Sequence, residues 1–384
     1  MKTAVVFHPG KGQDFDEKIY GLSLFERAVA VISEFIETDR VYVPVMDTQR
    51  QFRNVSVIPE KPENYDKIIL MDPAFVCERK LLKNLLDNFD KTVIGCDENS
   101  LEPAGFAVFK SEDIEKDFFS NPWESVSILA DERKNLRIAM LSRRWCYVLD
   151  KTDVRKAEKL IVSNLVCDKD GVVSKNFNRV FSLFITRLTS FLKIYPFLWT
   201  LISMATGFFG AWLIFKGSEF AGFLFFQLSA ILSGVDGETA RLHVKTSKFG
   251  MWFNAIANDL VLWALFLAIT YFSVQNAFLY RSGELLFWVF PVFVTLKYAA
   301  ANRFSLKPED EEIVFSEVLG RLKKSKLYRV VLPLMKRDAV VFLAFILSFF
   351  GVSGLIVPFY LILLISLSGT VLYKLTNRSG EAPA

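Results

Sequence analysis

Apolar residues follow two different rhythms along this 384-residue chain. In residues 1 to about 165, short β-rich runs alternate with helix-spaced ones. TAVVF (3–7), VYVPV (41–45), KIILMD (67–72) and KTVIGC (91–96) read as buried strands. SLFERAVAVISEFI (23–36), ERKLLKNLLDNF (78–89) and VRKAEKLIVSNLV (154–166) space their apolar residues by three and four, as a helix does. Strands alternating with helices predict an α/β layer fold with a mainly parallel sheet. The opening MKTAVVFHPGKG is expected to be a strand entering a glycine loop, without the long apolar core of a signal peptide.

The rhythm changes after CDKDGVVSKNFN (167–178), a linker with turn chemistry at Asp170-Gly171. NRVFSLFITRLTSFLK (178–193) then puts Val180, Phe181, Phe184, Leu188, Phe191 and Leu192 mostly on one side. Arg179, Arg187 and Lys193 add positive charge. Such a helix suits a membrane surface; an ordinary surface helix packed on the first domain is the alternative. Six apolar segments follow, at about 196–215, 219–235, 251–273, 284–300, 338–352 and 355–374. Some are shorter than the ~20 residues of an upright span. The connections near 236–250 and 301–337 are rich in bases, and the others carry few. Bases therefore alternate by side, which predicts six spans with both termini in the cytoplasm.

Composition supports the division. The chain is 52% hydrophobic and has 38 Phe, a high load for a soluble protein. A formal charge of only +4 gives no bulk attraction to nucleic acid, and none is expected as a partner. Cys77, Cys96, Cys146 and Cys167 show no metal-ligand spacing and read as reduced, partly buried cytoplasmic thiols.

Candidate chemistry sits between the second and third apolar segments, in SGVDGETARLHVKTSKFGMWFNAIANDL (233–260). Ser233 and Asp236 are three apart, and Asn254 and Asn258 are four apart, so each pair shares a helix face. Four carboxylates at those positions would hold divalent cations for phosphoryl transfer. The segment resembles the signature of the CDP-alcohol phosphotransferases, D-x-x-D-G-x-x-A-R, eight residues, G-x-x-x-D-x-x-x-D. Asp236, Gly237, Ala240, Arg241 and Gly250 fall on register. Ser233, Asn254 and Asn258 stand where the first, third and fourth acids belong. The resemblance implies metal ligands at Ser233, Asp236 and Asn254, a ligand and general base at Asn258, and a nucleotide pocket around Gly237, Ala240, Arg241 and Gly250. Neutral side chains at three of these positions predict weak Mg²⁺ or Mn²⁺ binding, and Asn258 has no basic function near neutral pH. Asp259 is a helical step of roughly 100° away and is expected to be a polar group of the span's inner end. His243 is expected to be solvated in the connection.

The N-terminal half is similar to nucleotidyltransferases of the sugar-nucleotide type. VVFHPGKGQD (5–14) matches their strand and glycine loop at Gly10 and Gly12, with Asp14 where the family has Arg. Lys18 and GLSLFERA (21–28) follow as their downstream lysine and helix element, and Asp72 stands at the strand end that holds their catalytic metal. VLDKTDVRKAEKL (148–160) resembles their closing element. A glycine loop after a first strand exposes N–H groups to phosphate, whereas Asp14 places negative charge there.

In this order the two halves resemble the fusion of an inositol-phosphate cytidylyltransferase with a CDP-inositol-dependent phosphotransferase. The resemblance implies a Rossmann-like nucleotidyltransferase-like cytoplasmic domain (1–166), a linker and interfacial helix (167–195), and an all-α six-span membrane domain (196–376). It implies a CDP-alcohol or related CDP-type nucleotide as ligand, the lipid bilayer as surroundings, and a homodimer through the membrane domain or pairing with an active relative. Two functions stay open. One is a family member with a degraded metal site that acts by ligand binding, assembly or regulation. The other is a working transferase that passes a phosphoalcohol to an alcohol acceptor in phospholipid or phosphodiester synthesis, releases CMP, and uses Asp236 and Asp259.

Overall fold

In the computed structural model the chain divides into two compact units, residues 1–165 with 242–244, and the remainder. The structure describes residues 3–9, 18–36, 40–43, 50–52, 55–59, 62, 65–87, 92–98, 100, 102–114, 118–119, 121–132, 137–141, 144–166, 171–192, 194–303 and 336–377.

The first unit is built on one eight-stranded sheet. Its strands are β1 (Thr3–Phe7), β4 (Arg40–Tyr42), β5 (Arg50–Phe52), β6 (Val55–Ile58), β7 (Lys67–Met71), β9 (Val93–Asp97), β10 (Pro103–Lys110) and β11 (Arg137–Leu141). They lie in the order β11-β9-β10-β7-β1-β4-β6-β5. Two short ribbons pair β2 (Lys18–Ile19) with β3 (Leu22–Ser23), and β8 (Phe75–Cys77) with β12 (Trp145–Tyr147). Side chains of a strand alternate between faces, and here both faces are covered. Val5, Phe7, Ile69, Met71, Phe106 and Val108 enter one core. Ala4, Val6, Ile68, Leu70, Ala107 and Phe109 enter the other. This explains why the strands read as continuous apolar runs.

The sheet is mixed: among the described residues four of its pairings are parallel and three antiparallel. β1 runs parallel to β4 and β7, whereas β10 runs antiparallel to both β7 and β9. Only residues 98–102 separate β9 from β10, far too few for the crossover that a parallel pair needs. The helices start where their caps dictate. Ser23 caps α1 (Leu24–Phe35), and its hydroxyl and the Glu26 carboxylate exchange bonds with each other's backbone N–H. Asp150 caps α4 (Lys151–Ser163) through the N–H groups of Thr152 and Asp153, so this helix begins three residues before its apolar pattern. The unit also contains α2 (Arg79–Asp87) and α3 (Pro122–Glu132).

The second unit is helical. One π-helical turn at Ser174–Asn178 leads into α5 (Arg179–Thr189). Its polar residues Arg179, Ser182 and Thr186 are buried. Val180, Phe181, Phe184 and Leu188 are exposed, as are Phe191 and Leu192 of the short 3₁₀ turn that follows. The polar face thus packs on protein and the apolar face points away, the arrangement a lipid surface favours. Then come α6 (Pro196–Phe215), α7 (Glu219–Leu242), α8 (Lys248–Phe272), α9 (Ala277–Arg303), α10 (Arg337–Ser348) and α11 (Ile356–Asn377).

Among the described residues, four helices, α6 to α9, are long and apolar enough to cross a membrane. Helix α10 has 12 residues, and Ser353–Gly369 forms a shorter apolar stretch that includes the start of α11. A shared core joins these helices, with Phe226, Leu265, Phe266, Phe290, Val340 and Tyr360 inside it. Pro291 lies within α9 and cannot donate to Phe287 four residues earlier. The indole N–H of Trp263 on α8 donates to that carbonyl at 3.3 Å, so the helix break becomes a helix–helix bond.

Candidate functional site at the adjoining ends of two helices

The apolar pattern predicts an end of the second segment near residue 235. Helix α7 instead runs to Leu242, so Asp236, Gly237, Ala240 and Arg241 all lie on it. The connection shrinks to residues 243–247. Ser247 then caps α8, its hydroxyl accepting from the N–H of Gly250 at 3.0 Å. His243 is buried, not solvated.

The spacing of the signature does bring its outer positions together. Ser233 Oγ on α7 lies 3.0 Å from Asn258 Oδ1 and 3.3 Å from Asn254 Oδ1 on α8. One hydroxyl proton is thereby shared between two amide oxygens. Asp236 contacts α6. It is buried, and one of its oxygens accepts from the Thr200 hydroxyl on α6 at 2.8 Å. At Gly237 a Cβ would lie 3.2 Å from Arg241 Nη1, the far end of a flexible side chain on the same helix. The Arg241 guanidinium therefore folds back along α7 towards the Asp236 turn.

A cation enters from a third helix. Arg337, the first residue of α10, donates from Nη1 to Asn258 Oδ1 and from Nη2 to Ser229 Oγ at 3.1 Å. Ser229 is one turn before Ser233, and its hydroxyl also donates to the Ser203 carbonyl on α6 at 2.7 Å. Four helices thus meet in one polar seam. The sequence pattern does not identify Arg337, Ser229 or Thr200. The first lies 79 positions beyond Asn258, and no local pattern links the two.

These residues do not fit a divalent cation. The trio offers a hydroxyl and two amides, weak ligands beside carboxylates. The one signature carboxylate is bonded to Thr200. A guanidinium already donates into the trio, and its charge repels a second cation. Among the described residues no group of three His, Cys, Asp or Glu side chains is placed to hold a metal.

Asp259 faces a different partner set from Asn258. Its carboxylate accepts from Lys297 Nζ at 2.7 Å and from the Tyr298 hydroxyl at 2.6 Å, both on α9. Lys297 is itself buried. Asp259 therefore serves the α8–α9 junction and is not turned to replace the missing base. Glu238, which falls at an unspecified position of the signature, is fully buried. It binds Arg179 at 2.6 Å, Ser182 at 2.5 Å and Thr186 at 2.6 Å, all on α5. A carboxylate inside an apolar helix is expensive and marks a partner, so this contact was open to detection in the sequence.

In the first unit, Asp72 is buried at the end of β7. Its carboxylate accepts from the Tyr147 hydroxyl and from the N–H of Ala74 at 2.8 Å. Its own N–H donates to Gly105 at 2.8 Å. Gly105 has φ +86°, and a Cβ there would lie 2.9 Å from the Tyr147 ring. Asp72 thus clamps β7, β10 and β12, with both oxygens engaged inside the fold. Lys18 is exposed on β2. Gly10, Gly12 and Asp14 lie outside the described residues. Burial pushes the Cys77 and Cys146 thiols up to about 12, which suits inert core cysteines.

Residues 193–372 match the family described as CDP-alcohol phosphatidyltransferase. A protein of Aquifex aeolicus named bifunctional IPC transferase and DIPP synthase is 27% identical over 256 residues, covering 61% of this chain and 58% of that one. A protein of the same name from Archaeoglobus fulgidus is 41% identical over 128 residues, 33% of this chain and 25% of its own. Another, from Thermococcus kodakarensis, is 30% identical over 139 residues, 35% of this chain and 31% of its own. The matched regions thus span between a quarter and somewhat over half of these relatives.

Proposed function

We propose, from a chain whose residues 193–372 form a CDP-alcohol phosphatidyltransferase domain, that this integral membrane protein binds a CDP-linked alcohol without efficient metal-dependent transfer. The carrying observation is the trio of Ser233, Asn254 and Asn258, joined by hydrogen bonds and approached by Arg337. A neutral amide at 258 cannot take a proton from an acceptor alcohol, and the trio lacks the charge that gathers hard cations. The signature residues Gly237, Ala240, Arg241 and Gly250 remain, and with them an arginine for phosphate.

The N-terminal domain fits the same history. Its mixed sheet and buried Asp72 support a nucleotidyltransferase-like fold whose strand-end acid has become structural. The protein then acts by holding ligand or by assembly, as a homodimer or beside an active relative. The basic connections, with the four long apolar helices and the two shorter ones among the described residues, support six spans with both termini in the cytoplasm.

The second function, an active transferase that releases CMP, draws support from the relatives, whose names describe a transferase and a synthase. One experiment separates the two. Full-length protein in lipid nanodiscs is titrated with Mn²⁺ and assayed for CMP release from a panel of CDP-alcohols. Weak Mn²⁺ binding and no CMP release are expected. Tight Mn²⁺ binding with ready CMP release would overturn the binding function and establish the enzyme.

A further inference from the structure

We infer that the Arg337 guanidinium replaces the divalent cation, making the seam between α7, α8 and α10 a metal-independent site for the diphosphate of a CDP-type nucleotide. The inference rests on the proposed binding function and names the group that makes it possible. Three observations carry it. First, Arg337 donates to Asn258, one of the three substituted acid positions, and to Ser229 on the helix that carries Ser233. The charge therefore sits among the signature positions and not elsewhere on the membrane surface. Second, the charges favour an anion. The signature keeps one carboxylate, Asp236, and one guanidinium, Arg241, and Arg337 adds a second positive charge, so these positions need no added cation to attract phosphate. With acids at all four positions, neutrality would require bound cations. Third, the guanidinium is fixed. Arg337 opens α10, and the neighbouring Asp338 accepts from the N–H of Ser174 at 2.7 Å, which ties that end of α10 to the segment before α5.

A guanidinium suits the task chemically. It stays charged at any working pH and is planar, with donors spaced to match phosphate oxygens in pairs. It is also less strongly hydrated than an ammonium, so it loses less when a ligand displaces water. Oxygen ligands such as Asn258 and Ser229 orient it without neutralising it. An aspartate at 258 would form an ion pair with Arg337 and compete with the phosphate.

The test is CDP binding to the full-length protein in nanodiscs, by calorimetry, in EDTA and in Mg²⁺. Wild type should bind CDP equally in both. Arg337→Gln should lose at least tenfold in EDTA, and Arg337→Lys should recover part of that loss. Asn258→Asp, which leaves Arg337 in place, should also weaken CDP binding in EDTA. Inorganic pyrophosphate should compete with CDP in wild type and much less in Arg337→Gln. The Asp triple variant at 233, 254 and 258 should bind Mn²⁺ better than wild type, and better still once Arg337→Gln is added. If Arg337→Gln fails to fold, Asn258→Asp decides between the outcomes. CDP binding in EDTA that ignores both Arg337→Gln and Asn258→Asp would overturn the role of Arg337 while leaving the binding function intact. CDP binding that appears only with Mg²⁺, or no CDP binding at all, would overturn both.

Discussion

Removing Arg179 tests whether the buried charge between α5 and α7 holds the membrane domain together. The Arg179 and Glu238 side chains are 10% and 0% exposed, with Nη1 and Oε1 2.6 Å apart. Arg179→Met leaves a buried carboxylate with only the Ser182 and Thr186 hydroxyls, which stabilise it partly. Breaking one side of a buried pair costs about 3–5 kcal/mol, because the remaining charge stays desolvated. Replacing both charges is far milder, so Arg179→Met with Glu238→Gln should cost about 1–2 kcal/mol, mostly in imperfect hydrogen bonds to the two hydroxyls. The two single variants should therefore be strongly coupled, by at least ~2 kcal/mol in a double-mutant cycle. Unfolding of the full-length protein by SDS titration in mixed micelles, followed by circular dichroism, measures all four proteins. Single variants within about 1 kcal/mol of wild type, with additive effects, would show that the carboxylate is solvated and that the pair carries no weight.

Two further outcomes follow from the geometry. Cys77 and Cys146 should resist maleimide at pH 8 in the native protein and react once it is unfolded, since burial pushes both thiols up to about 12. Their folded values lie above the ordinary 9.0, so the stability they contribute is complete below pH 9 and is lost as pH rises towards 12. The thermal midpoint of wild type should accordingly fall over that window more than that of Cys77→Ala with Cys146→Ala, and parallel curves would refute the assignment. Gly283→Ala should lower stability by about 1–3 kcal/mol through overpacking, because the new Cβ would lie 2.7 Å from Thr270 Cβ on α8. An unchanged SDS midpoint for that variant would mean that α8 and α9 do not approach so closely.

What is legible in the sequence is whatever a short period or a fixed spacing encodes. The buried strands β1, β7 and β9 announce themselves as apolar runs, and among the described residues helices follow residue 195 in the predicted order, four of them long and apolar enough to cross a membrane. β10, Pro103–Lys110, is buried on both faces in the same way, yet stands outside the strands read from the sequence. Its antiparallel direction is nevertheless implied by the short link from β9. The pattern places the end of α7 too early because apolarity falls at Asp236, although hydrogen bonding carries the helix on to Leu242. Glu238 keeps company with α5 there, which makes a charged residue tolerable inside a helix of this kind.

The site is half legible for a more specific reason. Spacing on two helices fixes which residues meet, and Ser233, Asn254 and Asn258 do meet. Spacing says nothing about the charge that a distant segment delivers. Without Arg337, three neutral substitutions leave a polar hole with one carboxylate and only Arg241 to attract phosphate. With three acids restored and Arg337 retained, the guanidinium would form ion pairs with the carboxylates and hinder a metal. Each change is unfavourable alone, and the two together restore a phosphate-compatible seam. The substitutions at 233, 254 and 258 and the arginine at 337 therefore make physical sense as one unit. Their free energies should be non-additive when exchanged separately.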